Sequence, residues 1–189
     1  MRRRSVLASL GAVFVAECVG DARSPDDTDV GARLGAAEAV PHERFHVART
    51  NDTPEWAASV ARPAGHVEMY GSTAALESIP FDRVDPSRED AVRGFVEATD
   101  FDGARLLYVV GVGPGNTELT VGVDRLGVHD GDLVGATSVR NAEEGDSIDT
   151  YASALVRAAT GDRGSPPSAA TVRVEAVNDR ETVVSTTVE

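Results

Sequence analysis

The chain has 189 residues, of which 31 are acidic and 18 are basic, so its formal net charge is −13. This length predicts one domain of roughly 100–200 residues with an apolar core of its own. Hydrophobic residues make up 41% of the chain, a globular composition that argues against disorder throughout. The negative charge opposes binding to nucleic acid, because such binders need a basic patch. We therefore expect no nucleic-acid partner.

All 18 basic residues are Arg, and Lys is absent. In molar salt the Debye length falls to about 3 Å, so repulsion among exposed carboxylates largely disappears. Arg pairs bidentately with carboxylates, whereas Lys is a compact charge on a long apolar stem. The composition resembles that of proteins from extremely halophilic archaea. The alternative is a GC-rich codon bias, which accounts for the missing Lys but not for the acidic excess.

The first seventeen residues have the organisation of an export signal. Arg3-Arg4-Ser5-Val6-Leu7 leads into an uncharged apolar run over residues 6–16. That run is too short to span a bilayer as a helix, which takes about 20 residues. The opening resembles a twin-arginine signal. We therefore expect residues 1–17 to be a signal peptide of an exported protein.

Cys18 is the only cysteine, and it follows the apolar run directly. The segment Val15-Ala16-Glu17-Cys18 resembles a lipobox, although Glu17 stands where a small neutral residue is usual. The resemblance implies that Cys18 is lipidated and anchors the chain to the outer face of the cell membrane. The alternatives are an uncleaved N-terminal anchor and a secretory peptide with an incidental cysteine.

The remaining chain is expected to form a tether and one domain. Residues 18–41 are rich in Asp, Ala, Gly, Ser and Pro without a sustained apolar period, which predicts a flexible acidic tether. Residues 42–189 are expected to form a single mainly-β domain. Alternation predicts short strands over residues 45–48 and 67–70, whereas residues 56–60 remain ambiguous.

A helix and a series of strands follow. Asp85-Pro86 suits a helix start, and Val92, Phe95 and Val96 share one face of a helix near residues 86–98. Further strands are predicted over residues 104–110, 119–128, 133–139, 151–159, 171–177 and 182–188, the last two joined by a hairpin at Asn178-Asp179. The first of these is apolar enough to be a buried central strand. The order predicts a mainly-β, α+β fold, namely an antiparallel β-sandwich or open barrel with one capping helix.

One Gly-rich segment, Gly111-Val112-Gly113-Pro114-Gly115, follows an apolar strand. It resembles the cofactor loop of tetrapyrrole methylases, which implies an S-adenosylmethionine-binding enzyme. That alternative requires a helix after Asn116 and a parallel sheet. Residues 120–123 alternate like a strand instead, and the same glycines serve a tight antiparallel hairpin.

Four segments resemble another family in order along the chain. They are Phe95-Val96-Glu97-Ala98-Thr99-Asp100-Phe101, the strand over residues 106–110, Asp130-Gly131-Asp132-Leu133-Val134 and Tyr151-Ala152-Ser153-Ala154-Leu155-Val156. The pattern is similar to the PrcB-type C-terminal domain, and small haloarchaeal lipoproteins look alike. In PrcB, this domain belongs to a protein that stabilises a surface protease. The resemblance therefore implies a protein partner and no chemistry, and it assigns no site residue.

The histidines do not predict a metal site. His42 and His46 would share a face of a strand, with no third ligand in view, and His66 and His129 stand alone. The chain has no HExxH motif, no GxSxG motif and no paired cysteines. We therefore expect no catalytic residue, no metal and no cofactor.

Two pairs of acids and one sequon complete the candidates. The pairs Asp100/Asp102 and Asp130/Asp132 offer oxygen ligands, but neither completes an EF-hand loop, so we expect solvated surface. Asn51-Asp52-Thr53 is a sequon for glycosylation in an exported chain, followed by Pro54. Asn51 is the candidate acceptor.

The sequence thus favours a non-enzymatic cell-surface lipoprotein of a halophilic archaeon that binds a protein or an envelope component. One alternative is the methyltransferase-like enzyme that uses the Gly-rich segment. The other is a solute-binding lipoprotein of a transporter, although typical members of that class are larger and have two lobes.

Overall fold

The strands and helices fall within the residues that the computed structural model describes, namely 27–79, 81, 84, 86–115, 119–140, 149–161, 165–177 and 179–188. The helices are α1 (Asp27–Ala36), α2 (Glu55–Ala58), α3 (Ala75–Ser78) and α4 (Glu89–Glu97), the last preceded by a 3-10 turn at Pro86–Arg88. The strands are β1 (Glu38–Ala39), β2 (His42–Thr50), β3 (Gly65–Tyr70), β4 (Ala104–Pro114), β5 (Thr120–His129), β6 (Asp132–Arg140), β7 (Asp149–Ala159), β8 (Ala169–Glu175) and β9 (Glu181–Thr187).

The strands form two sheets that pack face to face. One sheet has the order β1-β5-β6-β8-β9, and the other has the order β2-β7-β4-β3. All neighbours are antiparallel except β6 and β8, which are parallel. An isolated bridge between Met69 and Val188 joins the two sheets at one margin. The prediction of a mainly-β sandwich is confirmed, and over the described residues the sheets do not close into a barrel.

Strand β4 shows how the sequence builds this arrangement. Its side chains alternate, so that Leu107 and Val109 enter the core between the sheets. Leu106, Tyr108 and Val110 enter a second core on the opposite face of the same strand. A strand that is apolar on both faces must be covered on both. This confirms the expectation of a buried central strand.

The second core lies under the short helices. Helix α4 buries Val92, Phe95 and Val96 against the outer face of the four-stranded sheet, as its predicted apolar face requires. The ambiguous segment near Trp56 forms helix α2 and adds to this layer. Asp85, expected to start α4, lies outside the described residues.

Helix α1 corrects the predicted tether. Val30 and Leu34 are 0% and 5% exposed and pack on Val134 and Ala136 of β6, while β1 pairs with β5. The flexible assignment is therefore wrong for residues 27–41, and the folded domain begins before residue 42. Only two apolar residues four apart carry this helix, and its two glycines weaken the helical signal. The rest of the predicted tether, residues 18–26, lies outside the described residues.

Two further features complete the fold. Strands β8 and β9 form the predicted final hairpin, in which Asp179 has a φ of 54°, while Asn178 lies outside the described residues. Among the described residues, no helix is long and apolar enough to cross a membrane.

Candidate binding surface at strand β2

The Gly-rich segment serves packing between the sheets. A Cβ atom on Gly111 would lie 2.5 Å from Cγ2 of Val139, and one on Gly113 would collide with the side chain of Leu119. Both glycines therefore let the opposite sheet approach the backbone of β4. This space is filled by side chains of the protein itself.

The neighbours of the Gly-rich segment also differ from those that the enzyme alternative requires. Strand β4 is antiparallel to both β3 and β7. After residues 116–118, which lie outside the described part, the chain continues as strand β5 in the other sheet. The expected hairpin at Pro114 is therefore corrected to a crossing between sheets. The structure assigns these glycines a packing role.

Strand β2 is the end strand of the four-stranded sheet. The carbonyl oxygen of Pro41 accepts a hydrogen bond from the N–H of Ala159. Because backbone groups alternate in direction along an antiparallel pair, those of His42, Arg44 and His46 point away from β7. At the far end of the sheet, by contrast, β3 meets the other sheet through the Met69–Val188 bridge. Strand β2 thus offers backbone groups at an open margin.

A row of basic side chains follows this margin. Its members are His42, Arg44, His46 and Arg49, and we call them the basic row. Their cross-strand partners on β7 are Ala158, Val156, Ala154 and Ala152, all of which face the space between the sheets. Cross-strand partners share a face. The basic row therefore lies on the inner face of β2, at the margin of the sandwich.

Arg44 and Arg88 fix the surroundings of this row. Arg44 donates from Nη1 to the carbonyl oxygen of Val121 on β5 and so spans the two sheets. Arg88 donates from Nη2 to the carbonyl oxygen of His46 at 2.6 Å, and its Cζ lies 5.4 Å from the ring centroid of Phe45. Within the described residues, neither Arg44 nor Arg88 forms an ion pair with a carboxylate.

His46 lies in the middle of these cations. Burial lowers its pKa, and the nearby guanidiniums of Arg88, Arg44 and Arg49 lower it further. Its Nδ1 is buried without a hydrogen-bond partner among the described residues. Arg44 and Arg88 place guanidinium groups at this margin, and a guanidinium forms charge-assisted hydrogen bonds with carboxylates. The margin of β2 is therefore suited to carboxylates.

A second polar cluster lies on β3, at the other end of the sheet. His66 Nε2 lies 2.9 Å from Glu68 Oε1, and the buried Tyr70 hydroxyl donates to Oε2 of the same carboxylate. The hydrogen bond with His66 lowers the pKa of Glu68, against the opposing effect of burial, and Tyr70 adds to the lowering. The indole of Trp56 stacks on the His66 ring at 5.1 Å between centroids. Residues of the chain itself therefore supply the hydrogen bonds of the Glu68 carboxylate.

The remaining predicted site residues lie apart from one another. Cys18 is outside the described residues. Asn51 follows β2 on the surface, where its Oδ1 accepts a hydrogen bond from Thr150 at 2.7 Å. His129 lies 3.4 Å from the carboxylate of Asp130.

The two acidic pairs have local roles. Asp100 accepts a hydrogen bond from the N–H of Asp102 within a turn. Asp132 lies 3.7 Å from Arg33 of α1 and so helps to dock that helix. Among the described residues, no three His, Cys, Asp or Glu side chains gather as a metal site.

Comparison with protein family models, curated proteins and solved structures finds no match to this chain.

The sequence prediction includes two members of the basic row and misses the other two. His42 and His46 enter it as candidate metal ligands, whereas Arg44 between them and Arg49 beyond them carry no prediction. The alternation His-x-Arg-x-His over residues 42–46 is a signal that could have identified a basic strand face. The bulge between His46 and Ala48 brings Arg49 onto the same face, and nothing local in the sequence predicts it.

Proposed function

We propose that the chain is a non-enzymatic cell-surface lipoprotein of a halophilic archaeon, whose sandwich binds a protein or an envelope component. The observation that carries this proposal is the open margin of β2. There, a chain of net charge −13 concentrates basic side chains beside outward-facing backbone groups. An exposed patch of one charge on a surface of the other sign favours recognition of a partner.

Features of the sequence support a location of this binding module at the cell surface. The apolar run over residues 6–16 ends at the lone Cys18, which fits lipid attachment on the outer face of the membrane. The resemblance to the PrcB-type domain supports a protein partner in the same place. The acidic, Lys-free composition supports work in concentrated salt.

Membrane fractionation of Cys18→Ser tests the anchor. In cells grown in high salt, we expect the wild-type chain in the membrane fraction and the Cys18→Ser chain in the medium. Ser24→Ala, a substitution outside the lipobox-like segment, is the matched control and should stay with the membrane. Retention of the Cys18→Ser chain on membranes would count against the lipid anchor.

Circular dichroism tests the adaptation to salt. Because exposed carboxylates repel one another at low ionic strength, we expect a folded domain in 2–3 M KCl and loss of its strand signal on dialysis to low salt; the range is on the order of the salt at which the Debye length falls below 3 Å. An unchanged spectrum at low salt would contradict haloadaptation.

A further inference from the structure

We propose that β2 takes up an extended acidic segment of a partner protein as an added strand, with the carboxylates of that segment held against the basic row. This inference rests on the proposed function of the chain as a binding module. It names the site and the chemistry of the partner.

The margin of β2 has the geometry that an added strand needs. Strand β2 runs over nine residues, and its neighbour on one side is β7. On the other side, the N–H and C=O groups of His42 and Arg44 and the N–H of His46 face outward, as the alternation of the ladder requires. The carbonyl oxygen of His46 is already bound by Arg88. Five outward backbone groups suffice for a short added strand, the mode known as β-augmentation.

The charge and spacing of the basic row also match an acidic strand. Side chains on one face of a strand repeat about every 6.7 Å, twice the rise per residue. Carboxylates at alternate positions of an incoming strand therefore have the same spacing as His42, Arg44 and His46. Arg binds carboxylates through charge-assisted hydrogen bonds. An acidic segment thus fits both the backbone ladder and the side chains.

High salt limits the forces that can hold a partner at this margin. In molar salt, attraction over more than a few ångströms is screened. Binding must therefore come from contact, that is, from the backbone ladder and from directly hydrogen-bonded pairs. The margin offers both, since β2 presents outward backbone groups and the exposed side chains of His42 and Arg44.

Two other readings compete for this margin. A second copy of the chain could pair edge to edge, but this would place the basic rows of two copies side by side, and like charges opposite each other destabilise a strand pair. The charges could also serve only to keep the edge free of other strands, as edge charges do in many sheets. Each reading corresponds to a distinct result in the experiment below.

The experiment uses the purified full-length chain in detergent at 2 M KCl. The probe is the capped peptide Thr-Glu-Val-Glu-Val-Glu-Thr, followed by fluorescence anisotropy and by amide hydrogen exchange of β2. We expect saturable binding and slower exchange of the Arg44 and His46 amides. Two peptide controls keep the protein unchanged, one with Gln for each Glu and one N-methylated at alternate backbone positions. We expect the Gln peptide to bind at least about tenfold more weakly and the N-methylated peptide not to bind.

Protein variants add a matched comparison. Arg44→Gln should weaken peptide binding by about two- to fivefold. Arg125→Gln removes an exposed Arg on β5, opposite Ala136 and so on the outer face of its sheet, and should leave binding unchanged. Because Arg44 also contacts Val121, circular dichroism must first show that Arg44→Gln is folded. If it is not, the two control peptides decide the question on the wild-type chain.

Several results would overturn the inference. Equal binding of the Glu and Gln peptides, or of an oligonucleotide of the same charge as the Glu peptide, would show that strand addition with carboxylate recognition is wrong. Concentration-dependent protection of the same amides without peptide would identify a second copy as the occupant. Absence of peptide binding would leave β2 as a protected edge. None of these results alters the outcome for Cys18→Ser, so failure here is distinguishable from failure of the proposed anchor.

Discussion

Arg157 of β7 holds Phe95 of helix α4 in two ways. Its Cζ lies 4.2 Å from the centroid of the Phe95 ring, and its Nη2 donates to the Phe95 carbonyl oxygen at 2.7 Å. Its Nε also donates to Thr99 at 3.0 Å. The planar guanidinium can stack on the ring and hydrogen-bond the end of the helix at the same time. This residue therefore couples the capping helix to the sheet.

Arg157→Lys tests that coupling. The ammonium keeps the charge but cannot reproduce the fork of hydrogen bonds, so we expect a loss of about 1–2 kcal/mol in the free energy of unfolding. Arg125→Lys, at an exposed position of β5, should change it by at most about 0.5 kcal/mol. Urea titration at high salt measures both. Equal losses for the two variants would contradict the role of Arg157.

Gly111→Ala tests the packing role of the Gly-rich segment. The added methyl group would meet Val139, so we expect destabilisation by about 1–3 kcal/mol. Val139→Ala in the same chain should recover part of this loss. Gly94→Ala in α4, where the new Cβ meets nothing within 4 Å, should stabilise by about 0.5–1 kcal/mol. If Gly111→Ala is as stable as the wild type, the glycine serves something other than sheet packing.

Leu34→Ala tests the docking of helix α1. Removal of a side chain that is 5% exposed should cost about 2–4 kcal/mol, whereas a flexible tether would make the substitution neutral. Ala32→Ser on the exposed face of α1 is the control, and we expect a change within about 0.5 kcal/mol. The midpoint of thermal unfolding in 2–3 M KCl, on the order of the salt that screens surface charge, reports both variants.

Glu68 predicts a dependence of stability on pH. Its pKa is lowered in the folded state, first by the hydrogen bond with His66. The unfolded chain therefore binds the proton more tightly, and the contribution of Glu68 to stability is present above its unfolded pKa and lost as the pH falls through the folded pKa. We expect Glu68→Gln to flatten the unfolding free energy against pH on the acid side. An acid limb identical to that of the wild type would refute this assignment.

The sequence predicted the parts of the fold that depend on local pattern. Apolar residues on both faces of β4 indicated a buried strand, and Val92, Phe95 and Val96 indicated the core face of α4. Helix α1 was missed because its stability comes from Val30 and Leu34 docking on β6, and isolated short helices are marginal without such packing. Tertiary contacts, and not a local sequence pattern, therefore determine that this segment is helical.

The candidate site was only partly visible in the sequence. The alternation of His42, Arg44 and His46 can be read directly, but Arg88 reaches His46 from a turn 42 residues away. The glycines of the Gly-rich segment show the opposite case, because Gly111 and Gly113 suited either a ligand or a neighbouring sheet. Only the position of Val139 and Leu119 in space distinguishes the two. The local motif fits both roles, and contacts between residues distant in the sequence determine which role the glycines have.

Photo-crosslinking in intact cells at high salt tests the proposed binding of a partner at the margin of β2, with a photoreactive residue in place of exposed His42 on β2 or of exposed Ser185 on β9. His42 belongs to the basic row, whereas β9 is the end strand of the other sheet. We predict a discrete protein adduct from position 42 that is absent from position 185. No adduct from position 42, or the same adducts from both positions, would contradict binding at this margin.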